Sequence, residues 1–425
     1  MALYNLDVLW QLSGAMVRSA VKHGCFWIGV CCVVVVCTGC ASLPRTTFTA
    51  QDQSRANIRG YVGIRTWADA SEAELRASGF KPPSLSRSSG DLNYLSLSAG
   101  GAGGAFGAGL LKGWTHTGSR PKFDIVSGVS TGALIAPFAF LGTSYDDQLE
   151  ELYLGNATGN LAILQSPFKI LSGAGLYDPR PLRTLIERYT TEEMLARIAV
   201  EHRLGRRLYV VTTNLDAQRP VVWDMGAIAA SGRPDALSLF RNVLIASASI
   251  PAAYQPVMID VVAEGKHFQE MHVDGGTTTE VLTIPDVFLA SGERMHAPGK
   301  LKMHLYIVIH NNLSPEFEVI RNRNVSVAAR AFSTVIKSQT RDTLLATYSV
   351  AKRWGIDFNI ASIDRAVPFN TANPFGKDYM RQVFKSGLDQ ATSHTAWRKS
   401  MSPNAAPVAQ NRPQNMPYLT AHGPN

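Results

Sequence analysis

Short apolar runs alternate with glycine-rich breaks through the first part of the globular sequence. Asn93-Tyr94-Leu95-Ser96-Leu97 alternates polar and apolar side chains, which predicts a strand. It runs into Ser98-Ala99-Gly100-Gly101-Ala102-Gly103-Gly104 and then small and apolar residues as far as Trp114, a glycine loop leading into a helix. Phe123 to Ser127 predicts a buried strand, and the small-residue run after Ser130 a second helix. Two strand-turn-helix units in succession predict a mostly parallel sheet whose loops open together at the strand C-termini. Further strands are predicted at Leu208–Thr213, Pro220–Trp223, Val257–Val262, Lys302–Ile309 and Ile356–Ile360. Helices are predicted at Phe240–Ser249, Val325–Trp354 and Lys377–Ala391. Residues 146–189, broken at Gly173 to Pro179, read as a helical, loop-rich lid or wall for an apolar pocket.

The N-terminus has a different pattern. Arg18 and Lys22 precede an apolar core from Phe26 to Val36, then Cys37-Thr38-Gly39-Cys40-Ala41. A basic region, a short apolar core and a small-residue cleavage site predict a secretory signal, because a membrane-spanning helix needs about 20 apolar residues. Thr38-Gly39-Cys40 before Ala41 resembles the lipobox of bacterial lipoproteins, with Cys37 where leucine is usual. That resemblance implies acylation at Cys40, a mature chain starting there, and sorting to the outer membrane of a Gram-negative cell, facing the periplasm or the cell surface. A plain cleaved signal and an N-terminal anchor helix are the alternatives, and Met16 is an alternative start to Met1.

The expected organisation is a signal over 1–39, an extension and linker over 40–90, a globular domain over 91–395 and a disordered tail over 396–425. Within the domain, 92–290 carries the motifs and 300–395 a helical and strand elaboration.

At 425 residues, 45% hydrophobic and 17% charged, the chain can bury a large core. Its formal charge of +8 is spread out rather than gathered in a basic block, which argues against nucleic acid and suits anionic lipid. All five cysteines lie within the first 40 residues, so the globular part has no thiol nucleophile, disulfide or thiolate metal site.

Gly128-Val129-Ser130-Thr131-Gly132 matches G-x-S-x-G, a pattern that exposes a serine hydroxyl on a tight strand-to-helix turn. Gly128 and Gly132 allow close approach of backbone and substrate. The loop Gly100-Gly101-Ala102 aims backbone N–H groups at an anion. No G-x-G-x-x-G register fits it and no Gly-Lys-Ser/Thr closes it, so an oxyanion hole is the better reading, with tight helix packing as the plain alternative. His272-Val273-Asp274-Gly275-Gly276 ends a strand on an acid, where Gly275 and Gly276 leave the carboxylate clear. Alone it is an ordinary turn. Asp216 and Asp224 read as turn and edge residues. No clustered metal-ligand set or nucleotide motif appears, so no cofactor is implied.

In this order, each after a predicted strand, the glycine loop, the serine elbow and the aspartate turn resemble the patatin-like phospholipase family over roughly 92–290. Asn242 to Ala252 and Gly175-Leu176-Tyr177-Asp178 are similar to that family's connecting elements. The resemblance implies a three-layer α/β/α sandwich with a mostly parallel central sheet. It implies Ser130 as nucleophile, Asp274 as its proton acceptor in a dyad, and Gly100, Gly101 and Ala102 as the oxyanion hole. Two positions depart from the family: Ala99 replaces the first glycine of the loop, and Gly103 stands where a basic residue is usual.

The expected activity is hydrolysis of membrane-lipid acyl esters, of phospholipase A or lysophospholipase type, through an acyl-enzyme. Expected partners are membrane phospholipid or another lipid ester, and a membrane surface reached through the lipidated N-terminus. A weakly active or inactive binding module and a general carboxylesterase are the rival readings. A triad through His304, His310 or His394 is also available by chain order.

Overall fold

The computed structural model describes residues 45–80, 90–155, 158–171, 175–283, 302–320, 322–364, 367, 369 and 373–401. The expected signal and Cys40 lie outside these residues, as does the chain after Met401.

Helix α1 (Ala50–Ser54), strand β1 (Arg65–Trp67) and helix α2 (Glu72–Ala77) come first. Strand β2 (Asp91–Leu97), α3 (Gly104–His116), β3 (Ile125–Val129) and α4 (Thr131–Leu141) follow. Four helices come next, α5 (Asp146–Leu154), α6 (Pro167–Leu171), α7 (Pro179–Tyr189) and α8 (Glu192–Arg203). Hairpin β4 (Arg207–Asn214) and β5 (Arg219–Asp224) leads through α9 (Met225–Ala230) and α10 (Ala236–Ser247) to hairpin β6 (Val257–Ala263) and β7 (Lys266–Asp274). Strand β8 (Lys302–Ile309), α11 (Asn324–Trp354), β9 (Asp357–Ser362) and α12 (Lys377–Thr392) complete the fold.

Strands β4, β3, β2, β8 and β9 run parallel in that order; β5 adds antiparallel to β4, β1 pairs antiparallel with β5, and β7 pairs antiparallel with the end of β4. The register aligns Leu97 with Gly128 and with Val308, so β2, β3 and β8 end on one edge. Both faces of the sheet are covered, as its parallel centre requires. Leu95, Leu97, Val126 and Val210 pack on the face covered by α3, α4, α10 and α12. Tyr94, Ile125, Tyr209 and Val211, one residue out of phase, pack with Leu344 and Ala351 of α11 on the other. This is the three-layer α/β/α arrangement with a mostly parallel central sheet.

Glycines set the spacing of one layer. A Cβ on Gly109 of α3 would lie 2.0 Å from the Phe384 carbonyl oxygen of α12, and one on Gly387 would lie 2.2 Å from that of Phe106. The two helices meet backbone to backbone, so tight packing accounts for these glycines.

Two expected boundaries are corrected. The extension over 40–90 is built into the domain over its described part: β1 pairs with β5, Asn57 bridges Val262, and Ile58, Tyr61 and Ile64 are buried in the main core. The disordered tail expected over 396–425 does not hold for its described residues, 396–401, because Ala396 is buried, Trp397 packs on Trp114 and Tyr306, and Arg398 exchanges backbone hydrogen bonds with Ile360. In both places a few scattered apolar side chains find partners far away in sequence.

Candidate active site

Ser130 sits between β3 and α4 with φ 55° and ψ −120°, a conformation that a residue with a Cβ adopts only under constraint. Its amide donates to Ser247 Oγ at 3.0 Å, and that hydroxyl donates to the Val211 carbonyl at 2.7 Å. A Cβ on Gly128 would lie 2.3 Å from the Gly132 carbonyl oxygen, and one on Gly132 would lie 2.4 Å from that of Leu97. The turn closes because both positions lack side chains.

Asp274 ends β7. The antiparallel pairing that sets Asp274 opposite Thr212 brings its carboxyl to the edge where β3 ends. Ser130 Oγ donates to Asp274 Oδ2 at 2.5 Å, and the Gly276 amide donates to Oδ1 at 2.8 Å. The backbone is fixed as well, since Asp274 N donates to the Ser249 carbonyl and Thr213 Oγ1 donates to the Asp274 carbonyl. Burial pushes the Asp274 carboxyl up to about 7, against the lowering effect of the hydrogen bonds from Ser130 and Gly276. A Cβ on Gly275 would lie 2.5 Å from the Val211 carbonyl oxygen.

The glycine loop leaves β2 on the same edge. Gly100 and Gly101 have φ of 154° and 53°, and Gly101–Gly103 form a tight turn continuous with α3. Among the described residues no acceptor takes the amide hydrogens of Gly100, Gly101 or Ala102. These are the free donors of a helix start. Gly101 and Ser130 line one small pocket with Leu134, Leu152, Leu182 and Met380. Gly103 has a local reason for being glycine, since a Cβ there would lie 1.9 Å from the His310 carbonyl oxygen.

None of the three candidate histidines bonds to Ser130 or Asp274. His304 Nδ1 pairs with Asp357 Oδ2 at 2.8 Å near the start of β8, at the opposite edge of the sheet. His394 follows α12. His310 lies at the edge that holds Ser130, but its Nδ1 donates to the Ser98 carbonyl at 2.6 Å, and burial lowers its ring to about 4. Asp224 caps α9 through the Ala227 amide, and Asp216 binds Arg45 and the Met271 amide, so both acids have structural partners.

Two buried groups at the site carry no sequence motif. Ser247 is a small residue in a helix of small residues. Glu280 follows three threonines after the Asp-Gly-Gly turn, and its Oε1 accepts from Asn311 Nδ2 at 3.1 Å while its carbonyl accepts the Ala99 amide. A Cβ on Gly276 would lie 3.0 Å from Glu280 Oε2 and 3.1 Å from Asp274 Oδ1, so the two carboxyls flank one point. Burial first and the neighbouring Asp274 second push Glu280 up to about 8. Among the described residues no group of three His, Cys, Asp or Glu side chains is placed to hold a metal ion.

The fold is a mixed α/β one with a mostly parallel central sheet, and one edge of that sheet brings together a serine on a strained strand-to-helix turn, unpaired amides and a buried acid. The family follows from the sequence match: residues 95–284 fit the model of the patatin-like phospholipase family and form a domain of that family of lipid hydrolases. No curated protein matches the chain. Among solved structures, VipD from Legionella pneumophila aligns with a TM-score of 0.31 and 15% identity, over 70% of this chain and 67% of that one. The type III effector protein ExoU aligns with a TM-score of 0.26 and 12% identity, over 71% of this chain and 53% of that one. The family assignment rests on the match over 95–284.

Proposed function

We propose that the protein is a serine lipid acyl hydrolase of phospholipase A or lysophospholipase type, working through a Ser130–Asp274 dyad. The observation that carries this reading is the 2.5 Å hydrogen bond from Ser130 Oγ to Asp274 Oδ2 at a glycine-flanked elbow. Asp274 takes the Ser130 proton as Oγ attacks the ester carbonyl. The negative charge that develops on the carbonyl oxygen is met by amides of Gly100, Gly101 and Ala102, a contribution of about 3 kcal/mol per donor. As the tetrahedral species collapses, the C–O bond to the alcohol breaks and Asp274 returns its proton to that oxygen. Water then attacks the acyl-Ser130, again giving a proton to Asp274, and the fatty acid leaves with Ser130 reprotonated.

The protein is also proposed to be an exported lipoprotein of the outer membrane, acylated at Cys40. Labelling with a fatty-acid analogue, lost on Cys40→Ala, tests the anchor.

A fluorophosphonate probe tests the chemistry. Labelling of the wild type and loss of labelling in Ser130→Ala are expected, with Asp274→Asn losing turnover on phospholipid vesicles. Failure to label either protein would favour a binding module. Faster turnover of short soluble esters than of vesicles would favour a carboxylesterase.

A further inference from the structure

Large apolar side chains that stay exposed among the described residues are concentrated in two segments; Val62, Val200, Leu204 and Leu215 are the exceptions. The first segment, 163–170 with Leu176, presents Ile163, Leu164, Phe168, Ile170 and Leu176, with Phe168 85% exposed. The second presents Phe317, Val319, Val327, Phe332 and Val335, joined by Phe369. A solvated monomer rarely gathers so much apolar surface without a partner for it.

Both segments border the pocket that contains Ser130. Leu161 lines that pocket and its carbonyl accepts the Tyr254 hydroxyl, while Leu164 bridges Tyr177 and the Leu176 amide donates to Ala252. On the other side, Phe375 and Met380 line the pocket, and the Phe369 ring packs on Tyr379 at 5.1 Å. Glu316 lies beside Tyr379 and accepts from Lys337 of α11.

Helix length places the rest. A helix of 31 residues is about 46 Å long, whereas the eight residues of β8 span about 26 Å. The C-terminal end of α11 leads into the start of β9 at the far edge, and Gln339 donates to the Thr278 carbonyl beside the Asp274 turn. The helix before Gln339, with Val327, Phe332 and Val335, therefore projects past the catalytic edge.

Charge and the path of the chain agree. Lys169, Arg180 and Arg183 outnumber Asp178 around the first segment, and Arg323, Arg330, Lys337 and Arg341 outnumber Glu316, Glu318 and Asp342 around the second. The chain enters the described fold at Arg45, which binds Asp216 through two hydrogen bonds of 2.9 and 2.7 Å, just beyond the C-terminal end of β4. That is the edge holding Ser130, five positions after Cys40.

We propose that these two segments form a docking surface for an anionic lipid bilayer, pressing the mouth of the Ser130 pocket against the membrane. The proposal rests on the lipid-hydrolase reading for its choice of partner. It also explains how substrate enters. The pocket holds about 30 Å³, room for a water-sized group, so its walls must part to admit an acyl chain. Those walls, Leu161 and α7 on one side and Phe375 with Met380 on the other, continue directly into the exposed apolar segments.

The test uses the full-length protein with Ser130→Ala, so that lipid persists, on vesicles of phosphatidylethanolamine and phosphatidylglycerol containing brominated acyl chains. Tryptophan is introduced as Phe168→Trp, Val335→Trp or, at the opposite edge, Leu204→Trp. Roughly half or more of the added emission should be quenched at 168 and 335 and little at 204. In protein with Ser130 intact, Leu164→Ser with Phe168→Ser should lower phospholipid turnover on vesicles about ten-fold or more, while turnover of a short soluble ester stays within about two-fold. Equal quenching at all three positions, quenching at none, or unchanged vesicle turnover in the double variant overturns the docking surface. A concentration-dependent dimer that shields 168 and 335 from vesicles overturns it in favour of self-association. Quenching at 168 and 335 in a protein whose Ser130 form hydrolyses no ester keeps the surface and removes the hydrolase reading.

Discussion

The amide of Ser130 donates to the hydroxyl of Ser247, 3.0 Å away across 117 positions of sequence. Because the Ser247 hydroxyl in turn donates to the Val211 carbonyl, one small side chain ties the strained elbow to both α10 and β4. Ser247→Ala leaves a buried amide unpaired, at a cost of about 1–3 kcal/mol. Part of that cost should appear as misplacement of Ser130 Oγ, so we expect kcat to fall roughly ten-fold or more with a smaller effect on KM. Steady-state kinetics together with urea melts would separate the two effects, and unchanged kcat in a folded variant would assign Ser247 a purely structural part.

The pH profile follows from Asp274. In the proposed dyad its carboxyl must be ionised to accept the Ser130 proton, and burial pushes it up to about 7. Activity should therefore be low under acid conditions and rise through an ascending limb of kcat/KM centred near pH 7, rather than near the usual carboxylate value of 3.8. Asp274→Asn should remove that limb and lower turnover by roughly a thousand-fold or more. A limb centred near pH 4 would mean that Asp274 is better solvated in solution than its burial implies.

Ser247 and Asp274 differ in how readable they were. Ser130 and Asp274 belong to contiguous words, Gly-Val-Ser-Thr-Gly and Asp-Gly-Gly, whose glycines are dictated by backbone contacts beside the hydroxyl and the carboxyl, so the words mark where the two side chains meet. The strands β3, β4 and β8 were readable for a related reason, as near-continuous apolar runs are what a sheet covered on both faces requires, and β2 was readable by its alternation. Ser247 and Glu280 were not, because their importance comes from being buried next to something distant, and neither neighbour is visible in local sequence. The core contacts of residues 45–80 escaped for want of a pattern: Ile58, Tyr61, Ile64 and the three residues of β1 supply them singly. The same holds for Trp397, one aromatic in a polar stretch, which packs beside Trp114 and Tyr306.

Glu280 should tilt stability against pH. Its carboxyl is raised from 4.5 to about 8 by burial and by Asp274, so between those values the folded chain keeps a proton that the unfolded chain has released. Stability is therefore lost as pH rises from about 4.5 through 8, with a slope of at most about 1.4 kcal/mol per pH unit for one proton. Glu280→Gln keeps an acceptor for Asn311 and cannot ionise. The fall in Tm between pH 5.5 and 8.5 should be smaller in this variant than in the wild type, with the part due to Asp274 remaining below pH 7. Identical falls in the two proteins would show that Glu280 is ionised in the folded state.

Arg65 tests whether the segment before β2 belongs to the fold. Its guanidinium binds Glu270 at 2.5 and 3.0 Å and the Ala56 carbonyl at 2.8 Å, while Gln53 Nε2 donates to Glu270 Oε1 at 2.6 Å. Glu270 is fully buried on β7, four positions before Asp274, and His272 Nε2 stands 3.0 Å from it. Burial alone would raise the Glu270 carboxyl, but the charge of Arg65 and the hydrogen bonds from His272 and Arg65 hold it well below the usual carboxylate range. Arg65→Met therefore strands a charged carboxylate in the interior, a change that costs about 3–5 kcal/mol, and Arg65→Met with Glu270→Met should recover most of it. The sign of the pH effect is opposite to that of Glu280. A depressed carboxyl contributes stability above its unfolded value of 4.5 that is lost as pH falls through its folded value. In Arg65→Met that acid-side loss should shrink, because the cation that held the carboxylate ionised is gone. Urea midpoints at pH 4 and pH 7 measure both effects, and a cost under about 1 kcal/mol at pH 7 would mean that residues 45–80 rest on the domain without being part of it.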